Sequence, residues 1–122
     1  MKVLRVALCV LAFSISPALL AQDADWQRIG EARNAAAYCV VSHAVRLDDK
    51  QTSPEIIARG AFRSCKPQVE SFTAVFEAKA VKMIPTDPMG TRASEIQRQL
   101  DPILQDMQDL AMQAVLEHRV KK

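Results

Sequence analysis

SPEIIARGAFRSCKPQVESFTAVFEAKAVKM, residues 53–83, sets the architecture of the chain. Ser53 is a cap residue, Pro54 suits the first helical position, and Glu55 favours the positive end of the helix dipole. Behind that start, Ala58, Phe62, Cys65, Val69, Phe72, Phe76, Ala80 and Met83 recur at a 3–4 spacing and mark one apolar face. Pro67 interrupts the stretch, because it has no amide to offer Arg63. The apolar face keeps its phase across Pro67, so the pattern predicts one kinked helix over 53–83 rather than two.

Working outward, the same spacing appears on both sides. From about Asp25 to Leu47, one stripe holds Ile29, Ala32, Ala36, Cys39, His43 and Leu47, widened by Trp26, Val40 and Ala44. The polar Asp48-Asp49-Lys50-Gln51 ends it. Pro85, Pro88 and Gly90 mark a linker. A third helix is expected over about 91–119, opening at Thr91 or Ser94, with Ile96, Leu100, Ile103, Met107, Leu110 and Ala114 on its stripe and Leu104, Ala111 and Val115 beside it. Asp101-Pro102 either kinks this helix or starts another. The expected fold is all-α, a small antiparallel bundle of three long helices, since short loops favour antiparallel neighbours.

The first twenty-one residues read differently. Met1, Lys2 and Arg5 form a basic start, Val6 to Ile15 is nearly all apolar, and Ala18 and Ala21 offer small residues for cleavage. The expected domain division is a cleavable export signal over 1–21 and one helical domain over 22–122. The apolar stretch falls short of the roughly 20 residues that a membrane span needs, so no integral membrane segment is expected after cleavage. Leucine at position 8 argues against lipidation at Cys9. Removal of 1–21 takes away Lys2 and Arg5, leaving 14 basic against 14 acidic residues. A chain so balanced lacks the basic surface that nucleic acid requires. Arg119, Lys121 and Lys122 are read as cations finishing a helix at its negative end.

Of three cysteines, Cys9 leaves with the signal, and Cys39 and Cys65 remain. An even pair in a small exported domain predicts a disulfide. Cys39 lies nine residues before Asp48 and Cys65 twelve after Ser53, so at about 1.5 Å per residue they sit roughly level. Small residues, Ala32, Ala35, Ala36, Ala37 and Gly60, allow the helices to approach. The competing chemistry is a metal held by Cys39, His43 and Cys65, but no C-x-x-C pair supports metal or redox catalysis. Haem attachment lacks its C-x-x-C-H. A non-covalent haem site would need His118 with Met83 or Met112. No metal or cofactor is assigned.

Enzyme signatures are also missing: no G-x-S-x-G, H-E-x-x-H or phosphate-binding glycine loop occurs. Asp48-Asp49 reads as a turn, and Asp106 with Asp109 as a solvated helix face. Arg28, Arg46, Arg59 and Arg63 are candidates to converge on an anion. No catalytic residue is assigned.

Phe62, Phe72 and Phe76 share the stripe of Cys65 and are expected in the core. Helices this amphipathic can still leave an apolar groove for a partner helix, a twin subunit or an unfolded client. The layout of export signal, about a hundred helical residues and one inter-helix disulfide resembles that of small exported acid-stress chaperones, at the level of architecture. The expected function is therefore a non-enzymatic, periplasmic or secreted module working by protein contact or self-association. The alternatives are a ligand, haem or metal carrier using His43 or His118, and a helical enzyme with an arginine-lined pocket.

Overall fold

The computed structural model describes residues 17–84 and 87–121, with side chains from residue 24 onward. Residues 1–16 of the expected export signal lie outside it. The expected cut, after Ala18 or Ala21, falls in the first turns of α1 (Pro17–Leu47). The remaining helices are α2 (Pro54–Ser64), α3 (Lys66–Met83) and α4 (Arg92–Val120), and no strand occurs among the described residues.

The expected three-helix count is corrected to four, because the 53–83 stretch divides at Cys65. Its φ of −95° and ψ of 19° leave the helical region. The division has the physical cause already named: Pro67 cannot donate, and its ring crowds the preceding turn. Hydrogen bonds nevertheless continue on each side, from the Cys65 amide to Ala61 and from the Val69 amide to Cys65. The start of α2 is as read. The Ser53 hydroxyl accepts from the Ile56 amide at 3.4 Å, and Pro54 occupies the first turn. Pro102 lies inside an uninterrupted α4.

The chain runs up through α1, down through α2 and α3, and up again through α4. Asp25 of α1 therefore meets Lys79 and Lys82 near the end of α3, while Asp48 meets His118 and Arg119 near the end of α4. α1 and α4 are parallel neighbours. α1 packs along all three other helices, and α2 packs against α4 more extensively than α3 does.

The core follows from these contacts. Ile29, Ala36, Val40 and Ala44 of α1 meet Ile57, Ala58, Ala61, Cys65, Val69 and Phe72, and Leu100, Met107, Ala111 and Val115 close it from α4. Phe72 is fully buried and stacks obliquely on Phe76 at 6.0 Å, with Phe62 and Phe76 packed at the edge. The buried line departs from the expected stripe in places. Trp26, Leu47, Met83 and Leu110 are exposed and Lys79, outside the stripe, is buried, whereas Ala44 and Ala111, expected at its margins, are fully buried. A 3.6-residue helix drifts around its axis, so a stripe followed too far leaves the face that the neighbours cover.

Candidate functional site

Cys39 projects from the middle of α1 and Cys65 from the junction of α2 and α3. They are joined as a disulfide, with Sγ–Sγ 2.09 Å and Cα–Cα 5.9 Å. Ala36, Val40 and Ala61 around them are buried, and small side chains let α1 and α2 come this close. Gly60 does not contribute as expected: a Cβ placed there would meet nothing within 4 Å. His43 follows Cys39 by one helical turn. Its ring nitrogen and the two sulfurs all lie within 4.8 Å of one another. Cys65 is fully buried, whereas Cys39 and His43 are half-buried. The sequence thus brings the Cys39, Cys65 and His43 set together, with both sulfurs committed to each other.

At the far end of α1, an ionic lock gathers around Asp48, whose side chain has no exposed surface. Arg119 donates to its Oδ1 from Nε at 3.0 Å and Nη2 at 2.7 Å, and from Nη2 to the Thr52 carbonyl at 2.6 Å. The Lys50 amide donates to the same oxygen, and His118 Nδ1 lies 3.2 Å from Oδ2. Arg119 holds the Asp48 carboxyl far below the usual carboxylate range. Burial opposes this, while the Lys50 amide and His118 reinforce it. Beside it, the Thr52 hydroxyl and amide and the Gln51 amide lower Asp49 to about 2. The turn also places Lys50 at φ 63°. Arg119 is therefore more than an end-of-helix cation: with His118 it binds the two helix termini together.

The opposite end carries a second charged group. Burial raises the Asp25 carboxyl, but Lys82 and Lys79 outweigh it and lower it overall. Lys79 is buried, with its Nζ 3.5 Å from Asp25 and 5.6 Å from the Trp26 ring centre. This group is built to satisfy one buried ammonium.

The four arginines do not form one site. Arg28 lines a depression of about 110 Å³ with Asp25, Lys79 and Lys82. Arg46 donates to the Ser42 carbonyl, and Arg59 pairs with Glu55 on its own helix. His118 and Met83 stand at opposite ends of the bundle, and Met112 packs against the core. Asp109 accepts from Gln105 on an exposed face, and Asp106 is exposed too.

One surface feature lies between α3 and α4. Where α3 and α4 meet less extensively, a depression of about 380 Å³ opens, lined by Glu77 and Val81 of α3, Asp87, and Arg92, Ala93, Ile96 and Gln97 of α4. Val81, Met83 and Met89 are exposed at this end, Met83 by 62 % and Met89 by 82 %. Asp87 caps α4 from outside, accepting from the amides of Thr91 and Arg92. No known protein family, curated protein or solved structure matches this chain.

Proposed function

We propose that this chain is an exported helical module that works by protein contact, holding apolar segments of partly unfolded clients. The observation that carries the proposal is the end of the bundle where α3 and α4 part, with Val81 in the wall of the depression and Met83 and Met89 exposed on the segments that lead out of α3 and into α4. Methionine is flexible and polarizable, and surfaces rich in it accommodate varied partners. Glu77, Asp87 and Arg92 around the depression carry mixed charge, so an extended segment bearing apolar side chains flanked by charges of both signs suits it better than a single-sign ligand. Export is supported by the basic-then-apolar residues 1–21 and agrees with a disulfide, which persists in oxidising compartments.

The test is suppression of light scattering by a thermally unfolding client enzyme, with the native chain and with the triple variant Val81→Lys, Met83→Lys, Met89→Lys. The native chain should suppress scattering near equimolar ratio, and the variant should lose most of that effect at unchanged helical circular dichroism. Equal behaviour of the two would sink the proposal. Cell fractionation with N-terminal sequencing tests export, the expected first residue being Gln22 or Leu19.

A further inference from the structure

We infer that the Cys39–Cys65 disulfide is one state of a redox-gated metal site, and that its reduced state binds zinc through Cys39 Sγ, Cys65 Sγ and His43. The inference is independent of the α3–α4 contact face. Its ground is the juxtaposition of two sulfurs and an imidazole within 4.8 Å, drawn from α1 and from the α2–α3 junction. With Zn–S about 2.3 Å and Zn–N about 2.0 Å in a tetrahedron, the donors must stand roughly 3.5–3.8 Å apart. Once the bond is cut, the sulfurs part and the ring closes in by about 1 Å, within reach of side-chain rotation about Cα positions 5.9 Å apart. The fourth position is left to water, the arrangement of open zinc sites.

A structural staple needs no histidine beside it. Here His43 is placed one turn from Cys39 on the same face, and both residues are half-buried, so each keeps part of its surface open to solvent.

The gate is thiol–disulfide exchange with a dithiol reductant. One reductant thiolate attacks the Sγ of half-buried Cys39 rather than that of fully buried Cys65, and the S–S bond breaks with its electron pair going to Cys65. The second reductant thiolate then attacks the reductant sulfur of the mixed disulfide, and Cys39 leaves as thiolate. Two electrons and two protons pass from the dithiol to the protein, and the reductant becomes a disulfide. Zinc binding then releases the two thiol protons.

The test uses the full exported chain, reduced with a phosphine and desalted without oxygen, then titrated with cobalt(II). Expected are one cobalt per chain, an intense near-ultraviolet thiolate-to-cobalt band, and bleaching of that band by one equivalent of zinc. The oxidised chain should show none of this. His43→Ala should weaken binding tenfold or more at unchanged helical circular dichroism, whereas His118→Ala should stay within twofold of the native chain. Absence of the near-ultraviolet band at stoichiometric cobalt would overturn the inference, as would native affinity in His43→Ala. Should reduction melt the helices, their return on adding zinc supports a folded site, and failure to return overturns it.

Discussion

Asp48 lies just past the C-terminal end of α1, where the helix dipole disfavours a negative charge, yet its carboxylate is wholly enclosed. Arg119, the Lys50 amide and His118 make that position tenable. The consequence for pH follows in sign. An unfolded aspartate titrates near 3.9, while folded Asp49 titrates at about 2 and folded Asp48 lower still. Both groups therefore stabilise the fold fully above about pH 4. That contribution declines as pH falls from there through the folded values. Asp48→Asn should lower the melting midpoint at pH 7, and the gap from the native chain should shrink as pH falls toward 2. A gap independent of pH would show that Asp48 acts by shape rather than charge. The sequence announces the turn at Asp48-Asp49 but not the lock. A pair 71 residues apart leaves no local spacing to read.

At the scale of the helix, local chemistry was the most legible layer. Ser53, Pro54 and Glu55 start α2 where their residue types place them, and Pro67 does interrupt the stretch that follows. The outcome at Pro67 was harder to see, because an apolar stripe that keeps phase is compatible with either a kink or a break. Asp87 capping α4 was also hidden, lying four residues before Thr91 and outside the usual cap position. Gly60 gives the cleanest element-scale prediction. It sits inside α2 with open space where a Cβ would go, so it carries the entropic cost of glycine in a helix without a packing reason. Gly60→Ala should stabilise the protein by about 0.5–1 kcal/mol, read as a melting midpoint higher by about 2–8 °C. A lower midpoint would mean that the backbone at Gly60 needs freedom beyond the helix.

For the molecule as a whole, one covalent and two ionic ties hold the four helices together: the disulfide midway, Asp48 at one end and Asp25 at the other. The disulfide was legible because counting residues from a single turn levels Cys39 with Cys65. His43 was legible with it, since helical spacing alone puts position 43 one turn from 39. Closing a loop of sequence separation 26 stabilises by roughly 3–4 kcal/mol in the chain-entropy model. That is a large share of the about 5–15 kcal/mol typical of a native domain. Cys39→Ala with Cys65→Ala should therefore shift the urea midpoint down sharply while preserving helical content in buffer. An unchanged midpoint would remove the disulfide from the list of stabilising ties.

The ionic tie at Asp48 spans far more of the chain than the covalent one, and this orders events in time. A polypeptide delivered N-terminus first presents Cys65 fifty-four residues ahead of Arg119. At typical synthesis speeds of about 5–20 residues per second, that lead is about 3–11 s. If the export proposed above takes place during synthesis, the thiols of α1 and of the α2–α3 junction meet an oxidant while the partner of Asp48 has yet to arrive. The covalent bond then fixes helix pairing provisionally, and the arginine arrives later as the latch on a frame already assembled.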